Sequence, residues 1–340
     1  MKDALPETMA FPRRGSQKSI AAPSEQDFLS YFGRAFPHPR FLESDLGVTA
    51  LYELKSRSGQ GRDRHVLLIH GLNTPTLGLL PLAKHLQTLD RHAHIVLYDL
   101  WGHGLSSTPR VAHAAHIFHL QIYQVLSAMD WRSAHMVGYS FGASILVQFA
   151  LLSPNMVSSA ALIAPAGLLR KENFSPRLQE LMDDTSGSKE VEAEARDAVL
   201  EFLEGGKLVV PEDWWQRCYR GQVVAEALRD WQLKEHAGYS HSVLSMFREQ
   251  NIYGCDEFFK KFAFLLFKKA AVLGELDDIC TEDQLLRFGI WNTDIVDGAG
   301  HALVRSHAHD VANTVHGMWT ATGNYPVTSF PPAEENQVVG

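Results

Sequence analysis

Short apolar runs alternate with amphipathic stretches along most of the chain. Each run consists of four or five residues of strand-type sequence and ends at or near a turn-forming residue. Such runs are typical of strands buried on both faces of a sheet, and the stretches between them have helical periodicity. The alternation therefore predicts βαβ units around a mostly parallel sheet. The six clearest runs are residues 66–69, 94–98, 135–138, 160–163, 270–273 and 293–296.

The pattern changes between residues 167 and 265, where helical periodicity continues without a strand-like run. This segment predicts an all-helical insertion, which we expect to form a lid. We therefore expect a core in two parts, residues 46–166 and 266–322, with the lid between them. Residues 1–45 and 323–340 have no clear periodicity and are predicted to be a loose N-terminal extension and a C-terminal tail.

The insertion is rich in aromatic residues. It contains three of the seven tryptophans, Trp214, Trp215 and Trp231, together with Tyr219. Small-molecule pockets are mostly apolar, so we expect Trp214, Trp215 and Tyr219 to contact a substrate. The same rings would equally serve to pack the insertion onto the core, and both interpretations stay open at this point.

Composition and charge narrow the class of protein. With 45% hydrophobic and 21% charged residues, the 340-residue chain has the composition of a folded globular protein. A net charge of −8 without a long basic run argues against nucleic acid as a partner. Three widely spaced cysteines, no secretory leader and no apolar stretch of membrane-spanning length predict a cytoplasmic protein, which we expect to be a monomer or a homodimer.

The strongest local motif is Gly-Tyr-Ser-Phe-Gly at residues 138–142. It follows a predicted strand and precedes a predicted helix, with glycines two residues before and two residues after Ser140. This arrangement suits a sharp strand-to-helix turn, because neighbouring backbones come too close for larger side chains. Ser140 is therefore the candidate nucleophile, and we expect Tyr139 beside it to contact substrate.

A serine hydroxyl needs a base to take its proton and a carboxylate to orient that base. His301 lies in a Gly-Ala-Gly-His loop directly after the last predicted strand, which makes it the candidate base. Asp277 lies in the loop after the preceding strand and is the candidate orienting acid. The order Ser, Asp, His along the chain supports this choice.

Two backbone N–H groups are expected to stabilise an oxyanion. The N–H of Phe141 begins the helix after Ser140, where the positive end of the helix adds to its effect. The second N–H is that of Leu72, in the loop that follows the first clear strand. In this loop Gly71 permits a tight turn, and we expect Gly71 and Asn73 to line the substrate site.

Taken in order, these motifs resemble those of the α/β-hydrolase superfamily, in particular lid-bearing serine hydrolases of the esterase and lactonase type. The resemblance runs from about residue 45 to residue 322 through His-Gly-Leu, Asp-Leu-Trp-Gly-His-Gly, Gly-Tyr-Ser-Phe-Gly, Gly-Glu-Leu-Asp and Gly-Ala-Gly-His. It implies an α/β fold with an eight-stranded, mostly parallel sheet, a helical lid after the sixth strand and a triad of Ser140, Asp277 and His301. Some relatives take the acid from the loop after the sixth strand, which keeps Glu172 as the alternative. The segment His-Gly-Leu-Asn-Thr-Pro is also similar to that of fungal members.

Other functions compete with ester hydrolysis. The histidines at 113, 116 and 119 do not place two ligands on one helix face as zinc-binding helices do, and no nucleotide-binding loop is present, so we expect neither a metal nor a cofactor. The same triad serves acyltransferases, cyclases of secondary metabolism and C–C bond hydrolases. We expect a hydrolase that cleaves a carboxylic ester or lactone of a hydrophobic small molecule through an acyl-enzyme on Ser140.

Overall fold

A computed structural model describes residues 18–35, 37–58, 63–184, 186–249 and 252–321. The strands in these residues are β1 (Ser19–Ile20), β2 (Arg40–Ser44), β3 (Gly47–Leu54), β4 (Arg64–Ile69), β5 (Ala93–Tyr98), β6 (Thr108–Pro109), β7 (Ala134–Tyr139), β8 (Val157–Ile163), β9 (Lys268–Gly274) and β10 (Thr293–Val296). The helices are α1 (Glu25–Phe32), α2 (Leu80–Leu89), α3 (Ala115–Ala128), α4 (Phe141–Leu152), α5 (Pro176–Asp183), α6 (Lys189–Glu204), α7 (Trp214–Tyr219), α8 (Ala225–Glu235), α9 (Tyr239–Arg248), α10 (Asp256–Ala263), α11 (Glu282–Arg287), α12 (Leu303–Ser306) and α13 (Ala308–Thr320).

Eight strands form one sheet in the order β10-β9-β8-β7-β4-β5-β3-β2. The strands from β10 to β5 in this order run parallel, whereas β3 pairs antiparallel with both β5 and β2. The eight-stranded, mostly parallel sheet expected from the sequence is thereby confirmed. Each of the six apolar runs falls within one of its strands.

Helices cover both faces of the sheet, and this explains why the strands are continuously apolar. On one face Leu67 and Ile69 of β4 belong to a core that includes Phe118 of α3 and Phe149 of α4. On the other face Val66 and Leu68 belong to a core that includes residues of α2 and α13. With no solvated face, successive strand residues must all be apolar.

The N-terminal part of the chain differs from the expected loose extension. A capping box between Ser24 and Asp27 starts α1, whose Phe28 and Phe32 are buried. The next element, β2, is the edge strand of the sheet. The sequence pattern did not predict β2, because an edge strand is largely exposed to solvent and its residues are mostly polar. Residues 1–17 and the predicted tail at 323–340 lie outside the described residues.

An insertion of six helices, α5 to α10, separates β8 from β9 and therefore follows the sixth strand of the main sheet. α10 packs on α4, and α6 packs on α9. None of the helices in the described ranges has the length and apolar content needed to cross a bilayer.

Trp231 of α8 is an anchor of this insertion. It is 1% exposed, and its ring lies 5.1 Å from the ring of Phe28 and 6.0 Å from that of Phe32, between centroids. α1 therefore packs directly on the insertion. The role of Trp231 is packing rather than lining a pocket.

We predict that Trp231→Ala lowers the free energy of unfolding by about 3–5 kcal/mol, because it leaves a large cavity between α1 and α8. Trp215→Ala is the matched control, since Trp215 is 57% exposed and its truncation is expected to change that free energy by about 0.5 kcal/mol or less. Urea unfolding followed by circular dichroism measures both. Equal effects of the two substitutions would contradict the packing role.

Candidate active site

Ser140 occupies a sharp turn between β7 and α4. Its backbone has φ +54° and ψ −118°, a conformation that non-glycine residues rarely adopt. The flanking glycines are required by close backbone approach. A Cβ atom at Gly142 would lie 2.3 Å from the carbonyl oxygen of Ile69, and one at Gly138 would lie 2.6 Å from Cα of Ala143. The turn exists because neither position carries a side chain.

The structure brings Ser140, His301 and Asp277 into one hydrogen-bonded row. Ser140 Oγ lies 2.9 Å from His301 Nε2, and His301 Nδ1 lies 2.8 Å from Asp277 Oδ2. The Asp277 side chain is fully buried, and its Oδ1 accepts a hydrogen bond from the backbone N–H of Ile279 at 3.1 Å. If Nδ1 carries the imidazole proton, Nε2 is free to accept the serine proton. The alternative acid, Glu172, is exposed and takes no part in this row.

Strand order explains how residues so distant in sequence meet. Ser140, Asp277 and His301 follow β7, β9 and β10, and the carboxyl ends of these parallel strands lie at one edge of the sheet. The Tyr139 hydroxyl donates to the carbonyl of His301 at 2.9 Å. Burial raises the pKa of Tyr139, so this hydroxyl remains a donor at neutral pH. The Leu276 N–H donates to the carbonyl of Ala299 at 2.8 Å and ties the last two loops together.

The loop of residues 70–74 passes directly beside Ser140. A Cβ atom at Gly71 would lie 2.8 Å from Cβ of Ser140, so only glycine permits this approach. The His70 ring joins this loop to the segment after β5. Its Nδ1 donates to the carbonyl of Gly71 at 2.7 Å, and its Nε2 accepts from the N–H of Leu100 at 2.8 Å. Burial lowers the pKa of His70, which keeps the ring neutral and able to do both.

The two predicted oxyanion donors belong to the elements on either side of this approach. Leu72 lines the same hollow as Ser140. Phe141 is the first residue of α4, where backbone N–H groups have no partner within the helix. Its side chain is buried, with its ring 5.3 Å from the ring of Phe118, so only its backbone is available to a ligand.

Asn73 fastens this loop to three helices of the insertion. Its side-chain Oδ1 accepts from the hydroxyl of Tyr239 at 2.9 Å, and its Nδ2 donates to Glu204 Oε1 at 3.3 Å. Its backbone carbonyl accepts from Nε2 of Gln232 at 2.7 Å. Asn73 has φ +69°, a conformation that asparagine tolerates better than most residues. It was predicted to line the site, and its bonds to α6, α8 and α9 add a second role.

A hollow of about 490 Å³ opens above Ser140 and His301. Of the residues expected to line the substrate site it includes Asn73 and Tyr139 but not Gly71, and it also includes the predicted oxyanion donor Leu72. Its other lining residues include both apolar and polar side chains. The apolar members are Ala166, Leu169, Phe202, Leu203, Ile252, Ile279 and Ala302, and the polar members are Thr74, Asn173, Glu204, Glu226, Arg229, Asp278 and Arg305.

None of the three residues expected to contact substrate from the insertion, Trp214, Trp215 and Tyr219, lines this hollow. The ring of Trp214 instead packs against Tyr31 and Phe32 of α1, at centroid distances of 6.4 and 6.1 Å. The other two are exposed on a separate hollow between α1 and α7. Other residues of the insertion do line the hollow, but Trp214 of α7 packs against α1.

Sequence reasoning missed the charged residues of the hollow. Arg229 Nε lies 2.6 Å from Glu204 Oε1, and both side chains are largely buried. Burial raises the pKa of Glu204, and the charge of Arg229 opposes this shift. In the sequence these residues resemble the solvated face of an amphipathic helix, so no local signal identifies them.

In the described part of the chain no group of three His, Cys, Asp or Glu residues is arranged to hold a metal ion, and hydrogen bonds within the protein occupy members of the histidine clusters. Nδ1 of His113, for example, lies 2.7 Å from the Ser242 hydroxyl. Burial lowers the pKa of His113 to about 4.

A sequence model of the alpha/beta hydrolase fold family matches residues 64–240, more than half of the chain, and the chain belongs to that family. It is 33% identical over 119 residues to a serine hydrolase-like protein of Danio rerio, which covers 34% of this chain and 35% of that protein. The chain spans about a third of the length of the curated relatives it matches.

Solved structures of hydrolases share the fold. An enol-lactonase from Burkholderia xenovorans aligns with a TM-score of 0.59 and 18% identity, covering 80% of this chain and 97% of that one. Carboxylesterase CesB from Bacillus subtilis aligns with a TM-score of 0.56 and 16% identity, covering 87% and 95%. At these identities the likeness shows the fold, and the expected α/β-hydrolase architecture is confirmed.

We predict that Asn73 and Tyr239 are energetically coupled. Tyr239→Phe removes one hydroxyl and is expected to lower the free energy of unfolding by about 1 kcal/mol, because the Asn73 oxygen loses its donor. In the background of Asn73→Ala the same change should cost less, by at least about 0.5 kcal/mol. Chemical denaturation of the two single variants and the double variant measures this difference.

The control for this set of variants is Tyr219→Phe, which removes the hydroxyl from a side chain that is 90% exposed. Its effect should simply add to that of Asn73→Ala. Additive effects of Asn73→Ala and Tyr239→Phe would show that the loop is not fastened to α9 in solution.

Proposed function

We propose that the protein is a serine hydrolase that cleaves a carboxylic ester or lactone of a small molecule. Ser140 is the nucleophile, His301 the base and Asp277 the acid that orients it. The observation that carries the proposal is the row of hydrogen bonds of 2.9 Å and 2.8 Å that joins these three side chains. A serine, a histidine and a buried carboxylate in this geometry can activate the hydroxyl for attack on a carbonyl.

In the proposed reaction His301 Nε2 takes the proton of Ser140 as Oγ attacks the carbonyl carbon. The resulting oxyanion is stabilised by the N–H groups of Leu72 and Phe141, and the N-terminal end of α4 adds to this effect. The proton on His301 then passes to the leaving alcohol as the ester bond breaks. Water, deprotonated by the same imidazole, attacks the acyl-enzyme and releases the acid.

The environment of Asp277 suits its proposed role. Its carboxylate is fully buried and accepts from one backbone N–H, which leaves Oδ2 for the imidazole. A fixed, ionised carboxylate holds the histidine in the correct tautomer and stabilises the imidazolium that forms during the reaction.

The apolar residues that line the hollow support a substrate with a hydrophobic body. Leu169, Phe202, Leu203, Ile252 and Ile279 all line it, and its volume of about 490 Å³ is that of a small-molecule site. A hydrophobic substrate body is thus supported by these side chains and not by the aromatic residues of α7. It fits the enol-lactonase and carboxylesterase names of two structural neighbours.

We further propose that residues 167–265 act as a lid. In support, Phe202 and Glu204 of α6, Glu226 and Arg229 of α8, and Ile252 after α9 all line the hollow over Ser140. A substrate bound there would be covered by the insertion, which would exclude water until deacylation.

We predict that a fluorophosphonate probe labels the protein on Ser140. Ser140→Ala should abolish the labelling and lower turnover of a p-nitrophenyl ester by about 10⁴-fold, with an unchanged melting temperature. Ser306→Ala is the control, because Ser306 is an exposed serine outside the row. Labelling that persists in Ser140→Ala would place the nucleophile elsewhere.

The same assay separates the two candidate acids. Asp277→Asn keeps the shape but favours the wrong imidazole tautomer, so it should lower turnover by about 10⁴-fold. Glu172→Gln should leave turnover within about twofold, because Glu172 is exposed and away from His301. The reverse result would assign the acid to Glu172.

We predict that turnover of an ester in ¹⁸O-labelled water places the label in the released acid, because water is the second nucleophile. Mass spectrometry of the product measures this. Acyl transfer or cyclisation would give an unlabelled product, or turnover only after an alcohol or amine acceptor is added. Either result would replace hydrolysis with one of those reactions.

A further inference from the structure

Arg305 is a cation in the hollow with no anionic partner among the residues that the structure describes. It lies on α12, four residues after His301, and lines the same hollow as Ser140 and His301. Its Nη1 atom is buried and makes no hydrogen bond to any described residue. Within the described ranges no carboxylate lies within 4.0 Å of its guanidinium. A buried, charged donor without an acceptor is costly, and it therefore calls for an explanation.

The neighbours of Arg305 place it between the two loops of the site. A Cβ atom at Gly78 would lie 3.7 Å from Nη1 and 2.3 Å from the Thr74 methyl group, so Nη1 lies above the turn that follows Asn73. The guanidinium also lies within hydrogen-bonding reach of the Tyr139 hydroxyl, which itself donates to the carbonyl of His301. The groups around it thus include a methyl group, a glycine and a phenol, none of which is negatively charged.

The other arginine of the hollow is already neutralised. Arg229 lies 2.6 Å from Glu204 and 3.6 Å from Glu226. The third acid that lines the hollow, Asp278, is exposed to solvent, where water screens its charge. Arg305 is therefore the cation of this hollow that a bound anion would pair with.

We propose that Arg305 binds a carboxylate of the substrate, so that the natural substrate is an ester or lactone that also carries a free carboxylic acid. The inference rests on the proposed serine hydrolase function and names its substrate class. A planar guanidinium matches a carboxylate with two parallel hydrogen bonds. Glu204, Glu226 and Asp278 in the same hollow disfavour a doubly charged group such as a phosphate monoester. The hydrophobic body of the substrate would lie against the apolar lining residues of the hollow.

The test compares two p-nitrophenyl esters of glutaric acid, one with its second carboxyl group free and one with that group capped by methyl, each corrected for its rate without protein. Mono-p-nitrophenyl glutarate has a free carboxylate at neutral pH, and p-nitrophenyl methyl glutarate has that group capped. We expect the wild-type protein to show a kcat/KM at least about tenfold higher for the acid than for the capped ester. Arg305→Gln should lower this ratio by about 10- to 100-fold, the usual effect of losing a charged hydrogen bond. Arg305→Lys, which keeps the charge, should retain part of the ratio.

The ratio distinguishes binding from a structural role. If Arg305 only supports the turn above which it lies, Arg305→Gln will lower the rates for both esters by one factor and leave their ratio unchanged, which overturns the inference. Arg132→Gln is the control for long-range charge effects, because Arg132 is exposed and does not line the hollow. The ratio of kcat/KM for the acid to kcat/KM for the capped ester should be the same in Arg132→Gln as in the wild type.

A second measurement does not depend on the variants or on turnover. Monomethyl glutarate should slow fluorophosphonate labelling of the wild-type protein at a concentration at least about tenfold below that needed for dimethyl glutarate. Equal protection by the two compounds overturns the carboxylate inference alone. Absence of labelling at Ser140, together with no hydrolysis of either ester, overturns the proposed function itself.

Discussion

The positive φ of Ser140 is the constraint on which the site depends. Such a conformation costs about 1–3 kcal/mol and persists only where the surroundings hold it. Here the Ser140 N–H donates to the carbonyl of Ile163 at 2.9 Å, and its own carbonyl accepts from the N–H of Ala166 at 3.1 Å. The buried helix α4 and the glycines at 138 and 142 fix the remaining freedom. The strain is therefore balanced by the packing of the whole sheet centre, and the hydroxyl is held towards His301 without a conformational search.

The second half of the site is held differently, by polar contacts rather than by backbone packing. The loop of residues 70–74 meets Ser140 through Gly71, the rest of the sheet through His70 and the insertion through Asn73. The turn after it is fixed by Asp99, whose Oδ1 accepts from the N–H of Thr76 at 2.9 Å. Hydrogen bonds of this kind contribute only about 1 kcal/mol each, so the loop is a less rigid element than the turn at Ser140.

The sequence could predict whatever local pattern or chain order determines. The central strands are continuously apolar because both their faces are buried, and the turn at Ser140 needs glycines at fixed positions. Asp277 and Glu172 both lie between Ser140 and His301 in the chain, and it was the place of Asp277 in the loop after the penultimate strand that favoured it as the partner of His301. The edge strand β2 was not predicted, because it pairs with β3 through backbone hydrogen bonds and its sequence has no apolar pattern. The packing of Trp214 and the position of Arg305 could not be predicted, because each depends on a segment distant in sequence. That segment is α1 for Trp214 and the turn at Thr74 for Arg305.

The insertion links substrate recognition to the proposed oxyanion loop. Glu204 holds Arg229 at 2.6 Å and also accepts from the side-chain amide of Asn73, next to Leu72. A ligand anion that drew Arg229 away from Glu204 would leave that carboxylate with its amide partner alone, in a buried position where a lone charge is expensive. An anion bound at Arg305 leaves this pair intact. The arrangement therefore favours a substrate whose charge is taken up beside Tyr139, because that placement leaves undisturbed both the Glu204–Arg229 pair and the hydrogen bond from Asn73 to Glu204.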